Sequence, residues 1–110
     1  MSGFISIHEL YDIKKKKDKL QKVHFQIIAD LCNKKIKNVA EHGNTNTFYT
    51  VPGLMLGLPL YNFEDCIKYI ISGLKRSGFF IQRLPDPNIN IIYISWSAYD
   101  IKSKFQPITN

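Results

Sequence analysis

Apolar residues recur at helical spacing through the first forty positions of the chain. Their spacing from Leu10 to Val39 is mostly three, four or seven residues, and neither Pro nor Gly interrupts residues 7–39. Ser6, followed three positions later by Glu9, fits a capping box at the start of a helix. The pattern predicts one amphipathic helix of roughly 45–50 Å at 1.5 Å per residue. Because that length is large for a small domain, we expect the helix either to break near its lysine run or to project.

The next segment alternates turn signals with short apolar runs. Residues 47–51 predict a strand, and the Pro and Gly residues that follow predict an apolar turn region over 53–61. Asn62 predicts the N-cap of a second helix, and Gly78 predicts its C′ residue. Gly73 lies inside that helix, where Gly costs about 1 kcal/mol relative to Ala. We therefore expect a close backbone contact at Gly73.

Two further strands are predicted on either side of a Pro-Asp-Pro-Asn turn, over residues 79–84 and 89–96. The second of these strands is apolar on both faces, which is typical of a central strand. The two strands form a hairpin, and the strand at 47–51 is expected to complete a small sheet. The predicted fold class is α+β, with a long N-terminal helix, a short strand, a second helix and a winged-helix-like hairpin sheet.

Charge and composition divide the chain further. Its 110 residues carry a net charge of +6, and residues 1–40 hold nine Lys against four acidic residues. No run approaches the roughly 18 consecutive apolar residues of a membrane helix, so we expect no membrane span. Three segments are predicted: a basic amphipathic helical segment (1–46), a compact α/β module (47–97) and a C-terminal tail (98–110).

The lysine run at residues 14–19 is the densest charge feature. Such a run is most often a solvated helix face. It could otherwise contact nucleic-acid phosphates, with strong salt dependence, or an acidic protein surface. The sequence alone leaves these alternatives open.

No catalytic set is visible in the sequence. Cys32 and Cys66 lack CxxC spacing, and we expect both to be reduced thiols packed as small apolar groups. His8, His24 and His42 are too widely separated to indicate a metal site. No Ser lies in a GxSxG elbow. We expect a protein that is not an enzyme and that carries no cofactor or metal.

The order of the elements also resembles a winged helix, in which the second helix enters the major groove and the hairpin forms the wing. The helix at 62–77 would expose Glu64 and Asp65 among its basic residues, which is a poor face for reading DNA. The candidate contacts to nucleic acid or to an acidic partner are Lys14, Lys15, Lys16, Lys17, Lys19, Lys68, Lys75, Arg76 and Arg83.

A spaced set of Pro, Gly, aromatic and aliphatic residues runs through residues 48–97. The set is Tyr49-x-Val51-Pro52, Gly57-Leu58-Pro59-Leu60-Tyr61, Cys66-Ile67, Tyr69-Ile70, Leu74, Gly78-Phe79 and Ile92-Tyr93-Ile94-Ser95-Trp96. It resembles a family of small proteins encoded by nucleocytoplasmic large DNA viruses, several of which look like virion components. The resemblance brings no catalytic residues with it.

These observations together predict a non-enzymatic structural protein of a large DNA virus. It would be a minor capsid or other internal virion component that bridges larger subunits, located in the virion and in the host cytoplasm during assembly. Its partners would be other virion proteins. The alternative is a winged-helix-like nucleic-acid-binding protein. The expected protein-interface anchors are Tyr49, Tyr61, Tyr99 and Phe105.

Overall fold

The computed structural model describes residues 3–58 and 60–105, except for the side chains of residues 104 and 105. Its elements are α1 (Ile7–Glu41), β1 (Asn46–Thr50), α2 (Phe63–Arg76), β2 (Phe80–Arg83), β3 (Ile91–Ser95) and α3 (Ala98–Phe105). The predicted α+β class is confirmed, with its long N-terminal helix, short strand, second helix and hairpin.

Helix α1 is continuous over 35 residues and does not break at the lysine run. The hydroxyl of Ser6 accepts a hydrogen bond from the backbone N–H of Glu9 at 3.2 Å, as the capping box predicts. The helix ends beyond Glu41, where Gly43 takes a positive φ of 88°. Residues 3–20 are all exposed, whereas the buried positions of the helix begin at Phe25. The N-terminal turns of α1 therefore project beyond the body.

The three strands form an antiparallel sheet in the order β1-β3-β2. Asn46 pairs with Ser95 and Thr50 with Ile91, while Phe80 also pairs with Ser95 from the other side. β3 is thus the central strand, as its two apolar faces predicted. Alternate residues of a strand face opposite sides of a sheet, so one face carries the buried isoleucines of β3 and the other carries its tyrosine.

The core lies between the two long helices and one face of the sheet. Asn62 caps α2 by accepting a hydrogen bond from the Asp65 N–H at 3.0 Å, and Gly78 follows the helix with a φ of 101°. Both cap predictions are confirmed. The buried core residues are Phe25, Ile28, Cys32, Ile36, Val51, Cys66, Ile67, Ile70, Leu74, Ile92 and Ile94.

Two local features differ from the sequence prediction. Part of the predicted tail is the helix α3, which Ser97 caps by accepting a hydrogen bond from the Asp100 N–H at 3.1 Å. The Tyr93 hydroxyl also donates to the Asp100 carboxylate at 2.8 Å. The prediction of a close backbone contact at Gly73 is wrong, because a Cβ built there would meet no atom nearer than an Arg76 guanidinium nitrogen at 3.9 Å.

Candidate protein-binding surface

The N-terminal arm, residues 3–13, presents large apolar side chains to solvent. Six of them are 50–93% exposed, and no described residue covers them: Phe4, Ile5, Ile7, Leu10, Tyr11 and Ile13. Large hydrophobic residues gain free energy when they leave water, and a continuous exposed group of them usually marks an interaction site. The arm is therefore the first part of a candidate surface.

Residues 7–13 of the arm are helical although they pack on nothing in the described chain. An isolated helix of this length is marginal in water, so its helicity depends on propagation from the packed turns after Phe25 and on the Ser6 cap. The Lys14–Asp18 ion pair, at 3.2 Å and one turn apart, is more than half exposed at both ends. Such a pair contributes little. The apolar side chains of the arm are thus left uncovered by the described residues.

The apolar loop, residues 53–58 and 60, is the second exposed apolar group. Leu54, Leu56 and Leu60 are 62%, 96% and 83% exposed, whereas Met55 packs against the core. The sequence predicted an apolar turn here but did not place its leucines on the surface. The only signal was an apolar run inside a segment rich in Gly and Pro, which by itself does not distinguish buried from exposed positions.

Local hydrogen bonds fix the shape of the apolar loop. The hydroxyl of Tyr61 donates to the carbonyl of Pro52, which joins the two ends of the loop. The N–H of Leu58 donates to the carbonyl of Met55 at 3.2 Å, and Gly57 supplies a positive φ of 88°. Leu56 is therefore presented by a turn of defined geometry.

The part of α1 that follows the arm and the end of the apolar loop border a groove. It is lined by Lys14, Lys17, Asp18 and Gln21 of α1 and by Leu60, Tyr61, Asn62 and Asp65. Charged groups of both signs therefore lie beside Leu60 and Tyr61 in this groove. We call the arm, the apolar loop and this groove the arm–loop surface.

The basic residues named in the sequence do not form one patch. Because successive residues of a helix turn by about 100°, Lys14, Lys15, Lys16 and Lys17 point in four directions. On α2, Lys68, Lys75 and Arg76 are exposed. Two of these, Lys68 and Arg76, line a groove between α1 and α2 together with Lys22, which is not among the basic residues named from the sequence.

Arg83 is occupied within the fold. Its guanidinium donates to both carboxylate oxygens of Glu64, at 2.8 and 2.9 Å, and to the carbonyl of Ile89 at 2.5 Å. Hydrogen bonds from Arg83 hold the pKa of the Glu64 carboxyl below its usual value. The Glu64 carboxylate thus offsets the charge of Arg83 and weakens its attraction for a phosphate.

The four proposed interface anchors lie in different environments. Tyr49 is half-buried and donates to the carbonyl of Ile28 at 3.4 Å. Tyr61 packs edge-to-face on Phe25, with ring centroids 6.2 Å apart. Tyr99 on α3 is 82% exposed, and the side chain of Phe105 lies outside the described residues. Tyr49 and Tyr61 thus serve the fold, whereas Tyr99 can reach a partner.

The described residues offer little recognisable chemistry. Cys32 and Cys66 are free and buried, and burial raises their pKa values to about 12 and about 11. Within the described part of the chain, no group of three or more His, Cys, Asp and Glu residues could hold a metal ion. No helix in that part is long and apolar enough to cross a membrane.

The sequence profile of a family of unknown function, DUF5759, matches residues 5–75. The chain belongs to this family. The matched region contains most of the arm, the rest of α1, β1, the apolar loop and nearly all of α2. The arm–loop surface therefore lies almost entirely within the part of the chain that defines the family. No curated protein and no solved structure matches the chain.

Proposed function

We propose that this protein is a non-enzymatic structural component that joins neighbouring protein subunits through its arm–loop surface. The observation that carries the proposal is the projecting arm, whose six large apolar side chains have no cover among the described residues. We further propose that the assembly is the virion of a large DNA virus, with the chain as a minor capsid or internal component. The sequence resemblance over residues 48–97 supports that setting.

The spacing in the arm suits binding of a helix in a groove. Ile7, Leu10 and Tyr11 stand at i, i+3 and i+4, so they share one side of α1. An amphipathic helix that inserts into a hydrophobic groove uses anchors at this spacing. The arm would supply the helix, and a neighbouring subunit would supply the groove.

Incorporation into particles tests the proposal. Leu10→Glu combined with Tyr11→Glu places two charges on the apolar side of the arm, whereas Asp12→Lys combined with Lys16→Glu reverses two charges on the opposite side of the helix. We expect the first variant to be lost from purified virions and the second to be retained, with equal helix content by circular dichroism. Absence of the wild-type chain from particles, or equal incorporation of both variants, would contradict the proposal.

Nucleic-acid binding is the second candidate. The groove that brings together Lys22, Lys68 and Arg76 favours it, and so does the small sheet with its hairpin. The acidic residues Asp18 and Asp65 line the same groove and weaken its attraction for phosphate. Duplex DNA binding should then fall by about tenfold or more between about 50 and 200 mM salt and should require Lys68 and Arg76. No binding at about 50 mM salt removes this candidate.

A further inference from the structure

A second apolar stripe runs along α1, on the side turned away from the core. Leu20, Val23, Ile27 and Leu31 are spaced by three, four and four residues and are 60%, 54%, 41% and 39% exposed. At about 100° per residue these four positions fall within about 80° of arc. The buried residues of the same helix lie nearly opposite: Phe25, Ile28, Cys32 and Ile36.

Lysines surround this stripe. Lys16 and Lys34 continue its line at the two ends. Lys19 lies on one side of it and Lys17 on the other. Lys35 lies on the same side as Lys17, but its ammonium donates to the Phe48 carbonyl. Asp30 is the one acidic residue between positions 16 and 35 that lies beside the stripe, and its carboxylate accepts a hydrogen bond from Gln26 at 2.8 Å. The surface is therefore an apolar seam with a basic rim, which we call the lysine-rimmed stripe.

We propose that the lysine-rimmed stripe binds an acidic amphipathic helix of a partner protein. A narrow seam at spacings of three and four suits packing of one helix on another, whereas a helix that lies on a membrane needs a wider apolar face. Acidic side chains beside the apolar positions of the partner helix would pair with the lysine rim.

Two other occupants fit the stripe less well. A second copy of α1 would bring one basic rim against another, and like charges disfavour that contact. An added β-strand would need the free edge of β1, but the Lys35 ammonium already donates to the Phe48 carbonyl at 2.6 Å on that strand. The lysine-rimmed stripe shares only Lys17 with the arm–loop surface, so the proposal goes beyond the proposed function and does not rest on it.

Two synthetic helical peptides test the charge preference. Both carry Leu at heptad positions a and d, and they differ only in having Glu or Lys at positions e and g. We expect the full chain to bind the Glu peptide about tenfold or more tightly than the Lys peptide in fluorescence anisotropy at low salt, with the difference shrinking as salt is added. Lys16→Glu, Lys19→Glu and Lys34→Glu in combination should reverse the preference.

Matched variants locate the binding. Ile27→Glu with Leu31→Glu should abolish binding of the Glu peptide, whereas Leu54→Glu with Leu56→Glu, on the apolar loop, should leave it unchanged. Equal affinity for the two peptides, or undiminished binding by the Ile27 and Leu31 variant, overturns the proposal. So does stripe-dependent self-association in analytical ultracentrifugation or stripe-dependent flotation with anionic vesicles. The arm variant that combines L10E and Y11E should bind the Glu peptide as the wild type does. Failure of this proposal can therefore be distinguished from failure of the proposed function.

Discussion

Arg83 donates two hydrogen bonds to the carboxylate of Glu64, at 2.8 and 2.9 Å, and so joins strand β2 to the first turn of α2. The two residues are 19 positions apart in the sequence. A bidentate pair of this kind fixes orientation as well as distance, because the planar guanidinium must lie in line with the carboxylate. Arg83 also donates to the carbonyl of Ile89. The hairpin is thereby held in place against α2.

The Arg83–Glu64 pair predicts a specific dependence of stability on pH. Its hydrogen bonds lower the pKa of Glu64 from the ordinary value of 4.5, so the unfolded chain takes up this proton first as the pH falls. The stabilisation is present above pH 4.5 and is lost as the pH falls through the folded-state pKa. We expect Glu64→Gln to destabilise the protein at about pH 7 and to differ less from wild type at about pH 3 in urea unfolding.

Asp12→Asn provides the control for this experiment, since Asp12 is exposed and lies outside the two ion pairs that the described residues form. Its effect on the free energy of unfolding should be small at both pH values. A Glu64→Gln variant that loses as much stability in acid as at neutral pH would show that the carboxylate does not carry the effect.

Gly73 offers a stabilising substitution. Gly73→Ala removes the cost of Gly inside a helix, about 1 kcal/mol, and the added methyl group meets only the Arg76 guanidinium at 3.9 Å. We expect the urea midpoint to rise. The same change at Gly78, whose φ is 101°, should lower the free energy of unfolding by about 1–2 kcal/mol, and the urea midpoint with it, because an L-residue is strained there. Effects of the same sign at both positions would contradict the assigned helix end.

The two thiols should be inert in the folded protein. Cys32 and Cys66 are 1% and 0% exposed, and burial raises their pKa values to about 12 and about 11. Only a thiolate attacks a disulfide reagent, so both should react with such a reagent slowly in buffer and rapidly in urea. Rapid reaction of one thiol without denaturant would mean that α1 and α2 separate locally.

Local chemistry explains which parts of the fold could be predicted from the sequence. The Asn62 cap, the Gly78 stop and the hairpin are each encoded within a few residues. α3 was missed because only eight residues form it, and the Tyr93 hydroxyl that bonds Asp100 comes from β3. The prediction of a close contact at Gly73 failed because the low helix propensity of Gly does not depend on which residues surround it in the fold.

The candidate surface was less predictable, because the exposure of a side chain depends on tertiary structure. The helical periodicity of residues 7–39 does not show whether other residues cover an apolar position. It therefore could not distinguish a helix that breaks at the lysine run from a helix that projects. The loop leucines 54, 56 and 60 look like core residues until the fold places them outside. The engagement of Arg83 by Glu64 required the tertiary structure, since nothing local relates the two residues.

Hydrogen exchange should reveal two regimes along α1. The amides from about residue 9 to residue 19 lie in exposed turns without tertiary packing in the described chain, so they should exchange through local fraying. The amides near Ile28, Cys32 and Ile36 are in the core and should exchange only by global unfolding. Mass spectrometry after deuterium labelling should therefore show protection that rises steeply beyond Phe25.

The dependence of this protection pattern on protein concentration shows what covers the arm. A partner subunit bound to the arm–loop surface should slow exchange in residues 9–19 and leave the core unchanged, since the arm would gain the packing that it lacks alone. If the isolated protein instead shows uniform protection along α1 that fades on dilution, a second copy of the chain covers the arm. That result would replace a foreign subunit with self-association as the role of this surface.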